Sequence, residues 1–442
     1  MSVQRRFPLL GGLAILLCWL GALRGPFQFD DLNVIVHYGP VHSLAAWWDA
    51  LPGIRPLLKL SYALNRIVSP DPFGFHLVNL VIHAFNTVLF WRWLQGGILP
   101  DRYSAGFAAA LWALHPVQTE AVTYIAGRSV SLATTCLLLL LLAARRESRW
   151  RDSGVFLLTL AGLAVRETGW IAPALLWLAL RLDSVQPAQA LRRAMPSLLA
   201  VALVIPVFLL EPHYRRLIDV GLAARDWHDH SLTVLAAWRY FLTGPLLTLT
   251  PNIDPDIAVP ARWDAGSLLM CAGIMTLAAF SGRVFLRNGN RFAGGVLWFF
   301  LCLLPVNGIL PRLDVANDRH LYAALMGPAW MLAYGLGGQV AGRVALSGLA
   351  IVLAIALLIR NEDYRSATAL WTRTAQQSPG KSRVWNNLGV SCREEGHAAC
   401  ALMAFREAWR LDPGNTRAGV NLYFQEQAKL RGNDGKSPPF HR

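Results

Sequence analysis

Residues 7–23 read FPLLGGLAILLCWLGAL, and residues 24–31 continue RGPFQFDD. The first run is apolar apart from its glycines and one cysteine. At about 1.5 Å of rise per helical residue it nearly crosses the roughly 30 Å of bilayer hydrocarbon. It reads as a membrane helix. Arg5 and Arg6 precede it, and the cytoplasmic bias of basic residues directs Phe29, Asp30 and Asp31 to the opposite face. Adjacent acids at a membrane surface serve as a general base, as metal ligands, or as a solvated loop. The run lacks a small-residue cleavage site before Arg24, so it is expected to be retained as a helix.

The rest of the chain extends this pattern. Of 442 residues, 54% are hydrophobic and 15% charged, against about 25% charged in soluble domains, so the composition is that of a polytopic membrane protein. The net charge of +14 does not point to nucleic acid, because much of it sits in arginine clusters beside apolar runs: Arg145, Arg146, Arg149 and Arg151; Arg192 and Arg193; Arg283, Arg287 and Arg291. Those are orientation signals. Four of the six cysteines (Cys18, Cys136, Cys271, Cys302) lie inside apolar runs as small core residues, and no cysteine or histidine spacing marks a metal site.

Further crossings are expected at residues 73–94, 105–114, 130–144, 154–165, 170–182, 198–210, 266–280, 292–304, 322–336 and 344–359. The stretch 41–68, with Trp47, Trp48 and Pro56, suits interfacial helices. Residues 232–249, carrying Pro245 with Pro251 just beyond, are expected to re-enter or to lie at the interface, because a full crossing there would put Arg283 to Arg291 on the wrong side. The total is about eleven crossings, which leaves the carboxyl terminus outside. A repeat frame of about 34 residues beginning at Ser382 puts Trp385, Leu388, Gly389, Gly396, Ala401, Phe405, Ala408 and Pro413 at the signature positions of a tetratricopeptide repeat. Ala367, Trp371 and Pro379 fit the frame before it, and Leu422 the frame after. Such helix pairs stack into a peptide-binding surface. Cys392 and Cys400 fall on the two packed helices of that repeat; buried packing residues are expected there, with a disulfide as the alternative.

The fold class is therefore all-α: a membrane helical bundle over residues 1–360, a short α-solenoid over 361–430, and a disordered tail over 431–442. The expected outside loops collect polar groups: His115, Thr119, Glu120 and Arg128; Arg166 and Glu167; Asp318, Arg319 and Tyr322. By that topology they share a face with Asp30 and Asp31. Within the second crossing His76, Asn79, His83 and Asn86 form one helical stripe, where structural hydrogen bonding is expected, metal binding lacking a third ligand.

In order along the chain, Phe29-Asp30-Asp31, Arg55-Pro56-Leu57 with Ser61 and Leu64-Asn65, Phe73-Gly74-Phe75-His76-Leu77-Val78-Asn79-Leu80 with His83, His115-Pro116, Thr119-Glu120-Ala121-Val122 and Gly127-Arg128 resemble the transmembrane and tetratricopeptide-repeat O-mannosyltransferases and their bacterial relatives. Arg166-Glu167 stands where that family has Lys-Glu, and Asp318-Arg319-His320-Leu321-Tyr322 is similar to its Glu-Arg-Tyr-Leu-Tyr. The repeat array is far shorter than in animal members.

The resemblance implies a GT-C type glycosyltransferase. Its expected donor is a polyprenyl-phosphate sugar, mannose or another hexose, and its acceptor a hydroxyl on a protein or peptide engaged by the repeats. Asp30 or Asp31 would be the catalytic base. Arg55, Arg128, Arg166 and Arg319 would bind the donor phosphate. His76, Asn79, His83, His115, Thr119, Glu120, Glu167, Asp318 and Tyr322 would bind substrate or support the site. No cofactor is required by the pattern, and a divalent cation stays open without ligand spacing to support it. The chain is expected in a bacterial inner membrane with its repeats in the periplasm, or otherwise in the endoplasmic reticulum membrane. The alternative is a non-catalytic membrane scaffold that recruits partners through its repeats.

Overall fold

A computed structural model describes residues 3–51, 53–308, 312 and 314–430, and among these every regular element is a helix. The expected disordered tail 431–442 lies outside the described residues. The longer helices, in chain order, are α1 (Val3–Cys18), α2 (Pro56–Val68), α3 (Pro72–Gln95), α4 (Arg102–Leu114), α5 (Arg128–Ala144), α6 (Arg151–Val165), α7 (Ala172–Leu182) and α8 (Pro187–Leu210). They continue with α9 (Pro212–Ala224), α10 (Trp227–Thr243), α11 (Ala265–Asn288), α12 (Arg291–Asn307), α13 (Met326–Leu336) and α14 (Val340–Asp363). The tail adds α15 (Ala367–Gln377), α16 (Ser382–Glu394), α17 (Ala398–Leu411) and α18 (Thr416–Leu430).

Local chemistry sets the ends. Asp101 accepts the N–H groups of Tyr103 and Ser104 at 2.8 and 3.0 Å, which starts α4. Between α11 and α12, Gly289 takes the left-handed φ of +64° that stops one helix. Asn290 then caps the next by accepting from Ala293 N at 2.9 Å.

Five helical segments are long and apolar enough to cross a membrane: α3, residues Ile125–Ala144 ending α5, α8, α11 and α14. The chain is an integral membrane protein. These five differ in burial: half or more of α3 and of Ile125–Ala144 is buried, but only 22%, 11% and 22% of α8, α11 and α14. The first two form the centre, and the other three turn most of their apolar surface outward, where lipid suits it. Several segments expected to cross are shorter helices. α4, α6, α7 and α13 have 13, 15, 11 and 11 residues, or roughly 16 to 22 Å at 1.5 Å per residue. They pack inside the bundle, α4 against α3, α13 and α14, and α6 against α5 and α8.

The core is aromatic. Trp93, Trp298 and Trp330 meet pairwise with centroids 5.1 to 5.5 Å apart. α12 and α13 approach so closely beside them that a Cβ on Gly327 would lie 2.4 Å from Gly295 O, which reserves that contact for glycine. Residues 41–68 form a short helix, Leu44–Asp49, and then α2. Residues 232–249 lie mostly on α10, which ends at Gly244 before a single turn, Pro245–Thr248. In the tail, α15 to α18 pack each on the next. Gly396 makes the turn between α16 and α17 at φ +82°, and Gly389 lets the Phe405 ring approach within 2.5 Å of where a Cβ would sit. Cys392 and Cys400 are joined as a disulfide across that pair. The expectation of two packing thiols is corrected there: the turn at Gly396 brings both sulfurs to the same edge.

Candidate functional site

The two acids separate by environment. Asp31 is 1% exposed; its carboxylate accepts Gln28 N at 3.0 Å and Ala126 N at 2.7 Å. It pins the 28–31 turn to the loop before α5. Burial, then the neighbouring Asp30, pushes its carboxyl up to about 8 against those two amides and Arg128. Asp30 is only half-buried. Its backbone N–H reaches the Tyr124 hydroxyl at 3.1 Å, and its carboxylate accepts from that same phenol. Burial and the two carboxylates hold the Tyr124 phenol well above its ordinary range. Phe29, directly before the pair, has φ +51°, and Arg55 has φ +54°. Left-handed backbone in non-glycine residues is costly, and here it occurs twice beside the candidate chemistry.

The 115–128 loop is packed solid. Gly127 crosses over Glu120 so tightly that a Cβ would lie 2.1 Å from Glu120 O. His115 Nδ1 accepts Val117 N at 3.2 Å, and Thr119 Oγ1 donates to Pro116 O at 2.8 Å. Arg128 is fully buried. Its guanidinium gives hydrogen bonds to Asn79 Oδ1 (2.6 Å), Asn65 Oδ1 (2.7 Å), Phe75 O (3.0 Å) and Ser61 O (3.2 Å), over the rings of Tyr62 and Phe75. Those contacts use four of its five N–H donors and join α2, α3 and α5.

The stripe on α3 serves the same loop. His76 Nε2 meets Gly25 O at 3.0 Å, and Asn79 Nδ2 donates to Val122 O and Ile125 O, both at 3.2 Å. His83 bridges Ala113 O and the Tyr322 hydroxyl at 3.1 and 2.8 Å, and Asn86 donates to that hydroxyl at 3.1 Å.

Four other guanidiniums stand together: Arg55, Arg166, Arg312 and Arg319. Arg55 pairs in fork geometry with Glu167, at 2.8 and 2.5 Å. Burial raises the cost of the Glu167 charge, but Arg55 and Arg166 hold that carboxyl well below its usual range. Arg166 is 4% exposed, and among the described residues its guanidinium gives one hydrogen bond, to Ser129 Oγ at 2.7 Å. Burial and then the like charge of Arg55, with Arg312 and Arg319 behind it, pull Arg166 well below the arginine range in spite of Glu167. Such a cluster stabilises a bound anion.

Arg319 lies 3.6 Å from Glu120 Oε1 and gives its backbone N–H to Glu120 Oε2 at 2.8 Å. Its guanidinium also faces the Tyr124 ring at 6.0 Å and the Asp30 carboxylate, connecting the cations to the acid pair. Glu120 is pushed up to about 8 by burial and by Asp318, against Arg319. Asp318, which accepts from the Tyr240 hydroxyl at 2.8 Å and Asn252 N at 2.7 Å, is raised to about 6 by burial.

From Arg166 an apolar groove with a cavity volume of about 90 Å³, open on one side, runs between α5, α6, α7 and α12. Val130, Leu137, Leu140, Leu158 and Leu175 line its length; Arg166, Thr168 and His320 line its polar end. The tail packs beside the acid pair: Trp371 of α15 meets the Phe29 ring at 5.1 Å, and Gln28 Nε2 donates to Tyr364 O at 2.7 Å. Asp254 receives Arg383 at 2.9 and 2.6 Å and also Lys381.

Sequence reasoning did not single out Ser129, Arg312, Asn252 or Asp254. A signal for the last two existed: Asn252 and Asp254 stand between Pro251 and Pro255, a loop composition that favours side-chain bonds to backbone. Among the described residues, Asp226, His228 and Asp229 bring possible metal-ligand atoms within 4.8 Å of one another. All three are exposed, and Asp226 is the cap of α10, accepting from Asp229 N at 2.8 Å.

No protein-family model matches the chain. It is 23% identical over 477 residues to the protein O-mannosyl-transferase TMTC3 of Mus musculus, covering 92% of this chain and 51% of that protein. It is 31% identical over 505 residues to TMTC1 of Homo sapiens, covering 94% and 56%. A shorter match of 177 residues, 34% of this chain and 19% of the relative, reaches 38% identity with Tmtc2 of Drosophila melanogaster. The chain is thus a TMTC-like relative of the protein O-mannosyl-transferases, and it spans about half the length of the curated relatives that it matches along most of its own.

Proposed function

We propose that the chain is an integral membrane glycosyltransferase that moves a hexose, mannose by analogy with its relatives' names, from a polyprenyl phosphate to a hydroxyl on protein. One observation carries the reading: an open apolar groove ends at Arg166, and from that end Arg319 and Tyr124 lead to Asp30. A polyprenyl chain fits the groove, its phosphate fits the guanidiniums of Arg166, Arg319 and Arg55, and the sugar then lies toward Asp30. In the transfer step Asp30 takes the proton of the acceptor hydroxyl. The hydroxyl oxygen bonds to the anomeric carbon as the carbon–oxygen bond to phosphate breaks, and the polyprenyl phosphate leaves with the electron pair among the arginines. A single displacement inverts the anomeric centre. Asp31, occupied by two amides, is the positioning residue for Asp30.

The bundle is proposed to be GT-C-like with about eleven crossings, the shorter helices included, over residues 1–360, and α15 to α18 to be tetratricopeptide-type helices over 361–430. The helix pair α16–α17, with Gly389 beneath Phe405, supports that repeat reading. The site is proposed to face the non-cytoplasmic side, in the periplasm of a bacterial inner membrane; the Cys392–Cys400 disulfide supports an oxidising compartment. The decisive experiment offers the purified protein a panel of polyprenyl-phosphate sugars with a peptide acceptor. Consumption of one donor with sugar appearing on the peptide is expected. Consumption of none, with partner proteins bound by the tail, would return the chain to the scaffold alternative.

A further inference from the structure

One group at the polar end of the groove has no part in the chemistry above. His320 lines the groove beside Arg166 and is 7% exposed, and neither of its ring nitrogens has a hydrogen-bond partner among the described residues. Its ring is held edge-on to Phe241, with centroids 6.4 Å apart at 63°. Buried polar side chains are bonded in the large majority of cases, so an imidazole with both nitrogens idle in the wall of a cavity marks a place where a ligand completes the bonding.

We propose that His320 binds the ligand of this groove directly, giving a ring N–H to the phosphate of a lipid whose chain fills the apolar slot. The inference rests on the donor reading of the groove and adds to it a residue and a proton. The charged groups facing the ring are Arg312, Arg166, Arg319 and Arg55, while Asp318 on its own turn is occupied by Tyr240 and Asn252. Burial first, then those four cations, hold the empty imidazole neutral, well below its ordinary range. A neutral ring still offers one donor. A phosphate anion entering among the arginines cancels their repulsion of a second ring proton, so binding of the lipid phosphate draws a proton onto His320.

The test uses the full chain in phosphatidylcholine nanodiscs, with three probes: a polyprenyl phosphate, the polyprenol of equal length, and phosphatidic acid. The wild type is expected to prefer polyprenyl phosphate over polyprenol, and calorimetry in buffers of different ionisation enthalpy is expected to read proton uptake with the phosphate only. His320→Leu should weaken the phosphate about tenfold, leave polyprenol unchanged and abolish the uptake. His320→Gln, which keeps a donor but cannot titrate, should recover most of the affinity without the uptake, and it reads the same point if the leucine variant fails to fold.

Equal tight binding of phosphatidic acid would support the role of His320 while assigning the groove to bilayer phospholipid. Unchanged phosphate affinity in both His320 variants, with Arg166→Gln still weakened, would overturn the inference and leave the donor reading standing. No preference for phosphate in the wild type would overturn both.

Discussion

The 115–128 loop and the head of the groove are both buried, polar and arginine-bearing, yet they are finished to different degrees. In the loop, Arg128 spends its guanidinium on four protein oxygens. At the head of the groove, among the described residues, Arg166 makes one such bond and His320 none. Satisfying a buried cation with fixed carbonyls and amides produces rigidity; leaving it unsatisfied produces a site that is completed only by something from outside. The same contrast divides adjacent residues: Asp31 is consumed by two amides, while Asp30 turns toward Tyr124 and the arginines.

The sharpest way to break this comparison is to exchange the roles of the two acids. Asp30→Asn is expected to slow sugar transfer by about 10²- to 10⁴-fold with thermal stability unchanged. Asp31→Asn leaves one of two buried amides without its acceptor and should cost about 1–3 kcal/mol of stability, with a smaller loss of rate. Transfer assays and unfolding scans on both variants decide it, and a reversal of the two phenotypes removes Asp30 from the base position.

The arginines give the next largest difference. Arg128→Gln strands acceptors on Asn79, Asn65, Phe75 and Ser61, each worth about 1–3 kcal/mol when buried, so its signature is poor folding. Arg166→Gln strands only Ser129 and should instead weaken the donor about 10- to 100-fold, the worth of one charge-assisted hydrogen bond. Measured side by side, a weakened donor with intact folding in Arg128→Gln would erase the distinction between clamp and ligand.

How much of this could be read beforehand follows the same division. The apolar runs, the all-helical class and the sharing of one end by the Asp30 loop, Arg319 and the tail helices were legible, because hydrophobic length and charge bias act locally along the chain. The packing of the shorter helices was not: which faces of α7 and α13 their neighbours cover is a tertiary fact. Nor could the sequence divide Arg128 from Arg166. Both sit in polar loops beside apolar runs, and the difference arises from whether Asn65 and Asn79, on two other helices, happen to reach the guanidinium. His320 was visible only as a departure from tyrosine; its two idle nitrogens are a property of the cavity.

A milder test titrates the buried acids. Burial lifts Asp31 and Glu120 to about 8 and Asp318 to about 6, against about 4 in an unfolded chain. A folded state that holds these protons more tightly than the unfolded state is stabilised fully below about pH 4 and loses that contribution as pH rises through about 6 and then about 8. The melting temperature in detergent should therefore fall between about pH 5 and about pH 9, and Glu120→Gln should flatten part of that fall. A melting temperature that rises over the same window would mean that the three acids are ionised in the fold and that Arg128, Arg319 and Arg360 outweigh burial.

The smallest expected effect concerns the tail. Trp371 holds the Phe29 ring at 5.1 Å, and Phe29 keeps its left-handed backbone one residue before Asp30. Strain of that kind persists only while surrounding contacts over-determine it. Trp371→Ala should thus lower the transfer rate by up to about tenfold through misplacement of the base. Donor affinity should not change, since the groove is walled by other helices, and the Asp254–Arg383 pair should keep the tail docked, as limited proteolysis would read. A loss of peptide binding with an unchanged rate on a small hydroxyl acceptor would assign Trp371 to the acceptor instead, and would separate the tail as a recruiting surface from the tail as a support for the catalytic turn.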